Sequence, residues 1–125
     1  MIYFQQALST HIGNTKRFDR YRNRLTKLWQ AITTSPDKIW TLEDMSDFAG
    51  FSRAQLSRIC VLLYQKSPGE KAKEIKMEHA FSLLRYFDYQ VSEVAEKVGY
   101  MNMSNFSAAF KKHFGFSPKE AARLS

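Results

Sequence analysis

The stretch Val98–Glu120 reads VGYMNMSNFSAAFKKHFGFSPKE, and the fold turns on how it is read. Gly99 offers a tight turn, Asn102 a helix cap, and Phe106, Phe110 and Phe114 recur at four-residue steps. That spacing predicts a helix with one buried aromatic stripe, leaving Met103, Ser104, Asn105, Ser107 and Ala108 facing outward. Gly115 ends it and Ser117-Pro118 acts as a stop. Lys111 and Lys112 fall where both the negative end of a helix and a phosphate backbone favour cations.

Working outward, every other segment also reads as helical. From Asn14 to about Thr33, apolar residues Phe18, Tyr21, Leu25, Leu28, Trp29 and Ile32 alternate with Arg and Lys at helical steps. Pro36 breaks that helix. Thr41 caps a short one carrying Leu42, Met45, Phe48 and Ala49, with Glu43 and Asp44 in its first turn, and Gly50 stops it. Ser52 caps the next, with Leu56, Ile59, Cys60 and Leu63 inward up to Ser67-Pro68. A long helix over about 69–87 presents Ile75, Ala80, Leu83, Leu84 and Phe87 on one face, and Ser92 is expected to cap a short helix through Val98. Strand-like alternation is absent, so the predicted class is all-α.

The chain repeats itself. Aligning Gly50 with Gly99 pairs Leu42 with Val91, Met45 with Val94, Ser46 with Ala95 and Phe51 with Tyr100. With one extra residue after Gly99, Leu56 pairs with Phe106, Ser57 with Ser107, Ser67-Pro68 with Ser117-Pro118 and Glu70 with Glu120. One supersecondary unit is written twice. A short helix, a glycine turn and a second helix form a helix-turn-helix: a small residue (Ser46, Ala95) lets the helices cross closely and glycine permits the left-handed turn. The expected architecture is two tandem helix-turn-helix lobes joined by a long linking helix.

Composition agrees with a compact intracellular domain. Of 125 residues, 44% are apolar and 14% aromatic, enough for a core. No apolar run approaches a membrane span, and the opening MIYFQQALSTHIGN lacks the basic and apolar blocks of a secretion signal. The single cysteine, Cys60, excludes an internal disulfide, and a reducing, cytoplasmic location is expected. The net charge of +7 is uneven. Residues 1–40 hold seven Lys/Arg against two acids, residues 98–125 four against one, and the middle eight against nine. Cations at both ends suit a polyanion touched in more than one place.

From about Arg24 to Arg123 the chain resembles the DNA-binding domain of the AraC/XylS transcription regulators. The resemblance rests on Trp40-Thr41-Leu42, Gly50-Phe51-Ser52-Arg53 and Leu56-Ser57-Arg58 in the first unit, and Ala80 with Leu83-Leu84 in the linking helix. In the second unit it rests on Val94-Ala95, Val98-Gly99-Tyr100, Asn105-Phe106-Ser107, Phe110-Lys111-Lys112, Phe114-Gly115 and Ser117-Pro118. It implies recognition helices in successive major grooves and transcription regulation, usually activation, as output. Residues 16–125 would form that domain, with lobe one about 16–66, the linking helix about 69–87 and lobe two about 91–123. Residues 1–15 would be an extension or the remnant of a preceding effector-binding and dimerising domain. Double-stranded DNA is the implied partner, with RNA polymerase and that preceding domain as further candidates.

The chain also departs from the family pattern. Cys60-Val61-Leu62 stands where an aromatic and basic segment is usual, Gln65 replaces a glycine, Lys71 an aromatic and Ala108 an arginine. These changes weaken the expected DNA contacts and leave the packing frame intact.

Site residues follow from the outward faces. Arg53 and Arg58 read as guanine contacts, since arginine pairs bidentately with that base, or else as plain surface cations; Gln55 and Ser57 share their face. In the second helix Asn105 matches adenine, Ser104 and Ser107 reach base or phosphate, and Met103 reaches a thymine methyl or solvent. Thr41, Ser52, Lys111 and Lys112 are the expected phosphate contacts. Phe106, Phe110, Phe114 and Cys60 read as core. His79 and His113 lack ligand spacing, and neither a nucleophile–base pair nor a phosphate loop occurs, so neither enzyme activity nor a cofactor is expected. The alternative is an all-α protein–protein adaptor using the same scaffold.

Overall fold

The computed structural model describes residues 15–124. The expectations placed on the opening segment, residues 1–14, lie outside the described residues. Seven helices follow in order among those described: α1 (Thr15–Thr34), α2 (Leu42–Ala49), α3 (Arg53–Tyr64), α4 (Pro68–Tyr86), α5 (Val91–Lys97), α6 (Met103–Phe114) and α7 (Pro118–Arg123). All of the described secondary structure is helical, as the sequence predicts.

Two cores form, and α4 serves both. The first gathers Leu25, Leu28 and Ile32 of α1, Met45 and Ala49 of α2, Phe51, Leu56 and Cys60, and closes on Ala72 near the start of α4. The second gathers Met77, Ala80, Leu83 and Leu84 from the rest of α4 with Val94, Ala95, Val98, Phe106, Phe110 and Ala121. The basic first helix is thus bound into lobe one by its apolar stripe, while Lys16, Arg17, Arg20, Arg22 and Lys27 stay exposed. A linking helix of 19 residues spans about 28 Å at 1.5 Å per residue. That is long enough to give each lobe its own stretch of the same rod.

Local chemistry explains where each helix begins. Thr41, Ser52, Ser67 and Ser117 are N-caps whose hydroxyl oxygens accept from the backbone N–H three residues on, at 3.0 to 3.2 Å. The side chains of Asp44, Gln55, Glu70 and Glu120 reach back to accept from the cap N–H. Each is a capping box, satisfying two otherwise orphaned donors. Ser67-Pro68 and Ser117-Pro118, expected as stops, are therefore also starts: proline suits the first helical turn because its missing N–H would be unpaired there. The second such start creates α7, which the sequence reading did not contain.

Two further expectations are corrected. The cap of α5 is Gln90, whose N–H donates to Glu93 Oε1 at 3.0 Å, while Ser92 lies inside the helix. Phe87 is 57% exposed because α4 ends at Tyr86 and Phe87 turns into an extended conformation, stacking on Tyr89. Of the four apolar residues of α2 that the sequence marks, only Met45 and Ala49 are core: Phe48 is 51% exposed and meets Trp40 edge-on, and Leu42 is also on the outer side. An eight-residue helix lying on a small core buries one narrow stripe, and Ser46 rather than Phe48 occupies its edge.

Candidate nucleic-acid interface

The two helix-turn-helix turns are built alike. Gly50 and Gly99 have φ of +75° and +86°, a region closed to most L-residues. Past each glycine, the next residue's N–H returns to the buried small residue of the preceding helix: Phe51 to Ser46 O at 3.0 Å, Tyr100 to Ala95 O at 2.9 Å. The second helix then leaves at a fixed angle. Its inner face is locked by Leu56 and Cys60 in lobe one and by Phe106 and Phe110 in lobe two, all fully buried. The phenylalanines form an aromatic chain, with Phe106–Phe110 at 5.8 Å and Phe110–Phe114 at 4.6 Å between ring centres.

Equivalent residues therefore occupy equivalent outward positions. On α3 these are Arg53, Gln55 and Arg58, all exposed, with Ser57 half-buried at the edge. On α6 they are Met103, Ser104 and Asn105, all exposed, with Ser107 half-buried at the matching edge. Lys111 and Lys112 are exposed in the last turn of α6, where the helix dipole favours cations. The exposed partner of Ser104 on α3 is Ala54, which sequence reasoning passed over; the repeat itself pointed to it. The partner of Lys111 is Val61, half-exposed and apolar, so the C-terminal part of α3 lacks the cationic end that α6 has.

Capping determines what several of these side chains can offer. Gln55 Oε1 accepts from Ser52 N–H at 3.1 Å, which leaves its amide nitrogen as the outward-facing donor. Ser52 and Thr41 use their oxygens as acceptors and keep their hydroxyl protons available as donors. In α6 the cap is Asn102, whose Oδ1 accepts from Asn105 N–H at 3.1 Å. The Asn105 side chain itself is not consumed by that bond.

Arg24 supports the candidate interface from behind, and nothing in the sequence singles it out among the seven cations of residues 1–40. Its Nε donates to Ala49 O at 2.8 Å, its Nη2 to Gly50 O, and its guanidinium lies 3.9 Å from the Phe51 ring centre. It pins the lobe-one turn from α1. A side chain at residue 50 would meet Arg24 Nη2 at 2.8 Å, so glycine there serves both the turn and the arginine. Lys66 and Lys71 pair with Glu74 and Lys71 also lies 4.9 Å from the Tyr64 ring centre, which removes both from the free cationic surface. Gln65 takes the left-handed conformation expected of the missing glycine, with φ of 57°.

The remaining chemistry is quiet. Cys60 is fully buried and burial pushes its thiol up to about 11, which keeps it protonated and inert. Among the described residues no group of three His, Cys, Asp or Glu is placed to hold a metal ion, and no helix is long and apolar enough to cross a membrane.

Comparisons with known proteins agree with this geometry. A family model described as a helix-turn-helix domain matches residues 45–123, which takes in α3 to α7. The regulator AlkR of Acinetobacter baylyi is 30% identical over 99% of this chain, and the chain spans 42% of AlkR's length. The C-terminal domain of AraT, a response regulator from Geobacillus stearothermophilus, superposes with a TM-score of 0.71 at 31% identity, over 85% of each chain. The DNA-binding domain of AdpA, solved with a target DNA, shares the fold with a TM-score of 0.72 at 22% identity, over 80% of this chain and 90% of that one. Nothing among these relatives supports the adaptor reading, and they are regulators rather than enzymes. A repeated helix-turn-helix on a shared rod, matched over most of its length, places the chain in the AraC/XylS family of transcription regulators, as a DNA-binding domain.

Proposed function

We propose that α3 and α6 enter two successive major grooves on one face of the DNA, and that the chain regulates transcription by activation. The observation that carries this reading is the equivalence of the two outward faces, each anchored on its own core and both hung on α4. Arg53, Gln55, Ser57 and Arg58 would read the first half-site, and Met103, Ser104, Asn105 and Ser107 the second. Thr41, Ser52, Lys111 and Lys112 would hold phosphates. With only Arg53 and Arg58 as cations on the α3 face and Lys111 and Lys112 on α6, base readout by charge belongs to lobe one and backbone grip to lobe two.

The same reading treats residues 16–125 as the complete DNA-binding unit, working in the cytoplasm. Its further partners would be RNA polymerase and an effector-binding, dimerising domain ahead of this one; the length of AlkR beyond the matched segment supports the latter.

The test is a DNA site selected from a random pool, titrated across a salt series. Arg58→Ala should relax preference at one base of the first half-site, costing about 1–3 kcal/mol for a bidentate contact. Lys112→Ala should weaken binding to all sequences alike and lower the salt slope by about one unit. Reversed phenotypes would overturn the assignment of faces, and an affinity insensitive to salt would overturn DNA binding by this surface.

A further inference from the structure

The lobes are connected by more than α4. Between α1 and α2 the chain makes a tight turn, Ser35–Lys38, with Pro36 at its first corner and Lys38 N–H donating to Ser35 O at 3.2 Å. Ser35 N–H donates to Ala31 O at 3.0 Å, so the turn grows rigidly out of the end of α1. Although it belongs to lobe one, its backbone lies against lobe two. A Cβ on Gly99 would stand 2.8 Å from Asp37 O and 3.3 Å from Asp37 Cα, so the glycine turn of the second helix-turn-helix is in close contact with it. Lys76 of α4 donates to Lys38 O at 2.8 Å from the side.

We propose that this turn is a strut that fixes the angle between the two recognition helices, with Lys76 as the positioning residue that clamps it. Lys76 stands where α4 passes from one core to the other, between Ala72 of the first and Met77 of the second. It is half-buried, and burial lowers its pKa while the Asp37 carboxylate opposes that change. Desolvating an ammonium costs free energy that a surface lysine does not spend, and here a carbonyl and a carboxylate of the strut offset it. The cleft along this contact is lined by Trp40 from lobe one and Val98 and Tyr100 from lobe two.

A single helix leaves two lobes free to bend and twist about it. A second contact off the helix axis removes that freedom, and its consequence is a preferred spacing. DNA turns once in about 10–10.5 base pairs, so one inserted pair rotates the second half-site by about 35°. A rigid pair of recognition helices cannot follow that rotation, whereas a loose pair can. Lys76 and the turn would thus select half-site spacing without touching DNA. This rests on the reading that both helices engage DNA.

The experiment has two arms. Residual dipolar couplings of the free protein report whether both lobes share one alignment tensor. A single tensor is expected for the native chain, separate tensors for Lys76→Met, and a single one again for Lys76→Arg. Separate tensors in the native chain would overturn the strut, whatever the variants do. In the second arm, affinity is measured for selected sites whose half-site spacing is changed by one or two base pairs. The native chain should lose about tenfold or more per added pair as simultaneous engagement fails, and Lys76→Met should flatten that profile while binding a single half-site unchanged. A Lys76→Met profile that keeps the native shape, or falls equally at every spacing, would overturn the positioning role. Failure of every site to bind would sink the two-groove reading, while the tensors still decide the strut.

Discussion

Arg24 lies over Phe51, its guanidinium carbon 3.9 Å from the ring centre, while the same group donates to Ala49 O, the last carbonyl of α2, and to Gly50 O just beyond it. One side chain thereby stacks on the residue after the turn and caps the helix before it. Replacing it should open the turn. Arg24→Met keeps much of the stem and loses the stacking and the carbonyl donors, which should cost about 2–3 kcal/mol in urea unfolding. Losing less than a few tenths would show that the turn holds itself.

The two recognition helices are anchored by very different side chains at the same repeat position. Phe110 is fully buried amid aromatic neighbours, and Phe110→Ala should cost about 3–5 kcal/mol. Amide exchange should accelerate across α5 to α7 while α1 to α3 stay protected, because the first core contains no residue of α5 to α7 and the strut touches lobe two only at its surface. Cys60→Ala should cost about 1 kcal/mol, the loss of one buried heavy atom. The native Cys60 should resist thiol reagents until the chain unfolds. Equal protection of both lobes in Phe110→Ala would show that the aromatic chain is not what holds α6.

Both anchors were legible in the sequence, because four-residue spacing of apolar groups survives any detail of packing. The caps were less so. Ser92 is the better capping residue by type, yet Gln90 holds the position; the repeat pairs Gln90 with Thr41 and Glu93 with Asp44, so the register outweighs side-chain preference. The helix Pro118–Arg123 was hidden for the same reason: Ser-Pro marks an end and a beginning at once, and only its pairing with Ser67-Pro68 and Glu70 distinguishes the two. Arg24 and Lys76 were illegible. Each acts on a backbone carbonyl 25 or 38 residues away, and a carbonyl leaves no mark in a sequence.

The carboxylates of the capping boxes make stability depend on acid. Hydrogen bonds from the cap residues hold Asp44, Glu70 and Glu120 below their ordinary values of 3.8, 4.5 and 4.5. A carboxylate depressed in the folded state adds stability above its ordinary value and loses it as the pH falls through the lower folded one. Stability should therefore be flat near neutrality and decline below about pH 4.5. Glu70→Gln with Glu120→Gln keeps the side-chain acceptor without the titration, so urea unfolding from pH 7 to pH 3 should show a shallower decline. A decline as steep as the native one would place the acid sensitivity elsewhere.

The central claim is that α3 and α6 occupy two grooves at once. Major-groove protection on a selected site, read by chemical protection at guanine and adenine N7, tests it most directly. The expected result is two protected patches on one face, about 10 base pairs or 34 Å apart, with protection of one base of the first patch lost in Arg58→Ala and both patches kept in Lys112→Ala. A single protected patch, or two on opposite faces of the duplex, would contradict it.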